Sequence, residues 1–244
     1  MTAARTTDRA ALLALTADIV ACRRCPRLVA WREQVAHEKV ARFRDEEYWG
    51  RPLPGFGDPD ARILVLGLAP AAHGGNRTGR VFTGDASGDF LWSALHRAGL
   101  GDRPTSRRAD DGLTLTDVYI AAAVRCAPPA NKPTILERDT CAPFLVREMA
   151  LLGSIRVVLA LGAFGWDAGL RALAALGHVP AGRTKPRFGH AAQVDVGPYR
   201  LIGSYHPSQQ NTFTGRLTPV MFDAVIARAV DLASAPAAPP SRLS

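Results

Sequence analysis

The chain has 244 residues, of which 47% are hydrophobic and 21% charged. That balance excludes collagen-like, coiled-coil and wholly disordered chains, and the length suits one α/β domain better than two small cores. Thirty Lys and Arg against 22 Asp and Glu give a net charge of +8, and only Lys39, Lys132 and Lys185 are lysines. An arginine-dominated surface suits a polyanion, nucleic acid above all, although a genome biased toward arginine codons would leave the same mark. No apolar run approaches the roughly 18 residues of a membrane span, and the N-terminus lacks a signal-peptide core, so a soluble cytoplasmic protein is expected.

Residues 8–21 carry apolar positions at helical spacing and lead to Cys22. Residues 26–60 look irregular, turning Gly- and Pro-rich toward their end, and are expected to form loop and short helix. Arg62 to Leu68 is a continuous apolar run, the pattern of a strand buried on both faces. A long loop over 69–84 and a helix over 86–98 follow. Residues 100–116, with Arg107-Arg108 and Asp110-Asp111, read as a polar surface insertion. A second strand spans 117–124, a helix 137–152, a third strand 157–162 and a helix 163–176. A short strand at 193–196 precedes the last core strand at 201–205, and a final helix covers about 217–233. The domain is read as 1–233, with 234–244 a disordered tail.

Strands alternating with helices predict an α/β fold with a parallel sheet covered on both faces. Ligands then sit beyond the carboxyl ends of the strands. Those ends carry the unusual segments Gly67–Asp85, Arg125–Lys132 and His206–Ser208, so the topology gathers them into one cleft.

The four cysteines are Cys22, Cys25, Cys126 and Cys141, the first two spaced C-x2-C. Disulfides are unexpected in a reducing compartment. Four thiolates could hold zinc or a 4Fe–4S cluster, and spacing does not separate the two; buried free thiols are the third reading.

The segment from Gly67 to Asp85, GLAPAAHGGNRTGRVFTGD, matches neither nucleotide-phosphate motif, so no nucleotide cofactor is expected. Together with His206-Pro207-Ser208, TGRLTP and the cysteine pattern, it resembles the uracil-DNA glycosylase superfamily, with family 5, the iron–sulfur type b branch, as the nearest match. The resemblance covers roughly residues 15–232. It implies a three-layer α/β/α sandwich around a four-stranded parallel sheet, and excision of uracil from DNA to leave an abasic site. The four cysteines would then ligate a 4Fe–4S cluster.

An enzyme that works on a base must extrude it into a tight pocket. The resemblance implies Phe82 as the stacking platform, with Gly67, Ala69 and Ala71 beside the base and Asn131 reading its edge. Asp85 would position the attacking water, or serve only as a helix N-cap. His206 would donate to uracil O2. Asn76, Arg77, Arg80, Lys132 and Arg216 are expected on phosphates, and Ser208, Gln209, Gln210 and Asn211 in the minor groove. Better-known branches carry an Asp or Asn where Ala71 and Ala72 stand, and a related branch reads uracil with an Asn where Ala122 stands. A permissive pocket that also takes hypoxanthine or other deaminated bases is therefore expected. No lysine is placed for Schiff-base chemistry, so strand cleavage is not expected. A monomer is the default. A sibling that binds or crosslinks uracil-DNA, and a non-enzymatic iron–sulfur DNA sensor, are the alternatives.

Overall fold

The computed structural model describes residues 7–180 and 184–235. In chain order the elements are α1 (Arg9–Val20), α2 (Pro26–Glu38), β1 (Phe56–Gly57), β2 (Ile63–Gly67), α3 (Gly75–Thr78), α4 (Ala86–Arg97) and β3 (Val118–Ala122). They continue with α5 (Ile135–Leu151), β4 (Val157–Leu161), α6 (Gly162–Ala175), β5 (Gln193–Val196), β6 (Tyr199–Ser204), α7 (Gln209–Phe213) and α8 (Pro219–Ser234).

Every residue of β2, β3 and β4 is buried, which is why these segments read as unbroken apolar runs. Their side chains still alternate between two cores. Ile63, Val65, Ile120 and Leu159 face a layer containing Trp92 of α4 and Phe222 of α8. Leu64, Leu66, Tyr119 and Val158 face a layer built from Leu145 of α5 and Trp166 and Leu173 of α6. Helices therefore cover both faces, giving the expected α/β/α sandwich.

The sheet order is β1-β3-β2-β4-β6-β5, with the four central strands parallel and both edges antiparallel. The four central strands are the expected parallel sheet; β5, expected at 193–196, and β1, which was not expected, extend it at its edges. The β1 edge is only two residues long, too short for any periodicity, and it needs Gly57: a Cβ there would lie 2.3 Å from the carbonyl oxygen of Val118.

Residues 26–38, in the stretch expected to hold loop and short helix, form a helix of 13 residues. Pro26 opens α2, and Leu28, Val29, Arg32 and Val35 form its buried face. The arginine in a core slot hides the apolar period. Among the described residues no helix is long and apolar enough to cross a membrane. Most of the expected tail, from residue 236 on, lies outside the described residues.

Candidate active site

A cavity of about 440 Å³ opens beyond the carboxyl ends of the parallel strands. Gly67 comes from the end of β2, Ala122 from the end of β3 and His206 from just past β6. The loop after β2 adds Ala69, Ala71, Phe82 and Asp85, and the turn after β3 adds Asn131. Both residues expected to be catalytic and all five expected to hold the base therefore line one hollow. Its size falls in the range of about 300–1,000 Å³ usual for small-ligand sites.

Phe82 is held in an uncommon conformation. Its φ is +51°, a strained value for a bulky residue. The indole Nε1 of Trp92 donates to its carbonyl at 2.6 Å, and Gly88 makes room, since a Cβ there would lie 1.8 Å from that oxygen. The ring rests on Gly67, where a Cβ would approach Cζ to 2.8 Å. It faces His206 with ring centroids 6.0 Å apart and planes tilted by 30°. One flat apolar surface and one imidazole thus look into the same space.

Asp85 caps α4, its Oδ1 accepting from the amide of Gly88 at 2.9 Å. The capping and catalytic readings are compatible, because this bond occupies one oxygen. Burial pushes the carboxyl above the ordinary Asp value; the amides of Gly88 and Ser87 and the charge of Arg77 pull it back. Burial alone pushes the His206 imidazole down to about 4, so the ring is neutral near pH 7. The amide of Asn211 donates to the His206 carbonyl at 2.8 Å and holds that loop.

The uracil-DNA glycosylase superfamily model matches residues 54–229, the segment containing these side chains. This chain belongs to that superfamily. It is 55% identical over 221 residues to a type-5 uracil-DNA glycosylase of Mycobacterium bovis, covering 90% of this chain and 81% of that protein. A Thermus thermophilus type-5 enzyme is 52% identical over 221 residues, covering 90% and 97%. One from Pyrobaculum aerophilum is 46% identical over 211 residues, covering 86% and 88%. Within the superfamily the chain falls in the type-5 branch.

The expected DNA contacts divide. Lys132, Gln209, Gln210 and Arg216 are exposed and Ser208 is half-buried. Asn76, Arg77 and Arg80 are buried at 0%, 7% and 5% exposure, so their assignment to phosphates is corrected. Asn76 Nδ2 donates to the Arg32 carbonyl at 3.1 Å. Arg77 donates to the carbonyls of His73 (2.8 Å) and Gly84 (3.0 Å), pairs with Glu46 and lies over the Phe43 ring. Arg80 is spent on the 106–111 loop. In this glycosylase these three side chains fasten the loop that carries Asp85. Asn211 is likewise turned inward, onto the His206 carbonyl.

The four cysteines form no disulfide and line a second hollow, on the β3 side of the fold. Cys22 follows α1, Cys25 caps α2, Cys126 follows β3 and Cys141 lies in α5. Arg32 Nη1 donates to Cys126 Sγ at 3.0 Å, and the Arg125 amide to Cys141 Sγ at 3.3 Å. Burial pushes the Cys126 thiol up to about 12 and raises Cys141 and Cys25. Among the described residues no three His, Cys, Asp or Glu side chains stand close enough to hold a single metal ion. Arg32 was not foreseen from the sequence; an arginine in an otherwise apolar helix period was the available signal.

Proposed function

We propose that this chain hydrolyses the N-glycosidic bond of uracil in DNA and leaves an abasic site. One observation carries the reading: Phe82, Asp85, Asn131 and His206, far apart in sequence, line a single cavity. The names of its type-5 relatives agree with it. As the bond breaks, positive charge grows on the sugar and negative charge on the base. Asp85, ionised, orients water and faces the sugar; neutral His206 donates to the base oxygen. Preorganised groups of this kind contribute a few kcal/mol each to the transition state. Phe82 stacks on the extruded ring and Asn131 supplies an amide to its edge.

The pocket wall at Ala71 and Ala122 presents methyl groups where polar side chains would enforce one hydrogen-bonding pattern. The specificity is accordingly broad, extending to hypoxanthine and other deaminated bases. Cys22, Cys25, Cys126 and Cys141 hold a 4Fe–4S cluster. An all-sulfur donor set around one hollow, with Arg24, Arg32 and Arg125 beside it, supports that assignment. When bound, such a cluster supplies a covalent tie between α1, α2, α5 and the exit of β3. The enzyme works as a monomer.

Gel analysis of an alkali-treated duplex bearing one uracil tests the chemistry. Cleavage at the uracil only after alkali is expected, with no denaturant-stable adduct. Asp85→Ala and His206→Ala should each slow single-turnover release by about ten- to a thousandfold, equivalent to about 1.4–4 kcal/mol. Unchanged rates in both variants overturn the assignment.

A further inference from the structure

Nothing in the chemistry above uses the polar loop of residues 103–112. Yet this loop is firmly built. Buried Arg80 leaves the loop that carries Asp85 and donates to Ser106 Oγ, to the Arg108 carbonyl and to the Asp111 carboxylate, each at 2.5 Å. It also donates to the Ala109 carbonyl at 3.2 Å. The hydroxyls of Thr83 and Ser106 share a hydrogen bond of 2.9 Å, and the Gly84 amide donates to the Ser106 carbonyl at 3.3 Å. Asp111 in turn accepts from the amides of Arg107 (2.9 Å), Arg108 (3.3 Å) and Leu113 (3.1 Å). The loop is thus pinned to the segment ending at Asp85.

What this frame holds outward is Arg107 and Arg108, both exposed. They line an open groove of about 1,410 Å³ that shares Asp85, Asn131 and Gln210 with the base pocket. Arg108 meets Asp110, but the two side chains are 74% and 69% exposed, and such a pair is weak and exchangeable. The Arg107 guanidinium makes no hydrogen bond or ion pair among the described residues. Asp45 and Glu47 also face the groove, and their repulsion restricts where a phosphate can lie. Glu46 is engaged by Arg77.

We propose that this pinned loop is a phosphate-gripping arm, with Arg107 and Arg108 contacting the DNA backbone beside the extruded nucleotide. The proposal rests on the reading that the chain acts on DNA. Guanidinium forks grip phosphate in two places, and a pre-built loop loses little freedom on binding.

The test is affinity of the full chain for a uracil-free duplex and, in an Asp85→Asn background, for the matching uracil-bearing duplex, across a salt series. For Arg107→Ala/Arg108→Ala, the slope of log affinity against log salt should become shallower by about 0.9 for each phosphate no longer gripped. Both duplexes should weaken alike, and Arg107→Lys/Arg108→Lys should keep the slope. A slope equal to wild type, or weakening confined to the uracil-bearing duplex, overturns the arm. If wild type releases uracil while the slope is unmoved, only the arm fails. If wild type neither binds duplex nor releases uracil, the glycosylase reading fails and the arm with it.

Discussion

Gly74 presses its Cα against the carboxylate of Asp85: a Cβ at position 74 would lie 2.0 Å from Oδ2. No two non-bonded heavy atoms tolerate that separation, so any side chain there displaces the carboxylate. The other oxygen is tethered to the Gly88 amide at 2.9 Å. Asp85 is therefore located by one constraint on each oxygen. Gly74→Ala should lower single-turnover uracil release by about a hundredfold, the cost of roughly an ångström of misplacement. Affinity for the uracil-bearing duplex should change little, because position 74 is walled off from the base by the carboxylate. A variant with wild-type turnover would show that the placement of Asp85 is not what limits the reaction.

Asp85 and His206 give opposite pH signatures. A carboxylate that polarises water must be ionised, and burial raises this one. The rate should fall as pH falls through that raised value, an acid limb lying above the usual Asp range. His206 is pushed down to about 4 and is neutral near pH 7. Stability responds to the same shifts. Folded His206 resists protonation, so its contribution is complete above the ordinary value of 6.5 and is lost as pH falls toward about 4. Asp85, raised in the fold, contributes in the other sense: its share is complete below the unfolded carboxylate value and is lost as pH rises through the folded one. Asp85→Asn should erase the acid limb from the residual rate. His206→Gln should flatten the fall in melting temperature between pH 6.5 and about 4. An unaltered limb in the Asn variant contradicts the assignment.

Arg77 shows which parts of the site a sequence can and cannot disclose. Strands β2, β3 and β4 were legible because each is buried along its whole length. The pocket was legible because topology forces the strand ends together. The acceptors around Arg77 and Arg80 include backbone carbonyls of His73, Gly84, Arg108 and Ala109. Every residue carries a carbonyl, so these partners leave no trace in residue types. A guanidinium in a Gly-rich loop reads as solvent-facing for the same reason. The left-handed backbone of Phe82 and the two-residue β1 are equally silent.

Arg77 bridges His73 and Gly84, the residues just before Gly74 and Asp85, so it closes the loop around the carboxylate. Gly84 is shaped for it: a Cβ there would lie 2.4 Å from Arg77 Nη2. Removing the guanidinium leaves two carbonyls without their partner, which costs about 1–3 kcal/mol per group where water cannot replace it. It also removes a positive charge that lowers the Asp85 carboxyl, while Asp89, which raises it, remains. Arg77→Gln should therefore lower the melting temperature and move the acid limb of the rate upward. Arg77→Lys should restore the limb more fully than the melting temperature, since one ammonium cannot reach both carbonyls. Loss of stability with the limb unmoved would make Arg77 a purely structural staple.

Ala122, at the end of β3, offers a direct test of base selection. It stands in the pocket wall among residues that come from β2 and the turn after β3. A methyl group there discriminates poorly between bases, whereas a buried amide rejects partners that leave it unpaired. Ala122→Asn should raise the ratio of uracil to hypoxanthine release by about tenfold or more, measured as single-turnover rates on matched duplexes. An unchanged ratio would overturn the proposal that Ala122 makes the pocket permissive.

The cysteine hollow and the base pocket are joined by one helix. Arg32 of α2 donates to Cys126 Sγ at 3.0 Å and to the Cys22 carbonyl at 3.3 Å. The carbonyl of the same residue accepts from Asn76, a fully buried side chain of the loop that carries Asp85. Gly50 and Trp49 donate to the carbonyls of Asn76 and Arg77, adding backbone ties to that loop. Whatever fixes α2 through Cys25 thus also fixes the floor beneath Gly74 and Asp85. On the proposal that the four cysteines hold a 4Fe–4S cluster, Cys126→Ser should abolish the cluster's visible absorbance, lower the melting temperature and raise amide exchange across residues 71–84. Asn76→Ala should raise exchange in that loop with the cluster absorbance retained, because it cuts the link on the far side of Arg32. Equal exchange in wild type and both variants would uncouple the two sites.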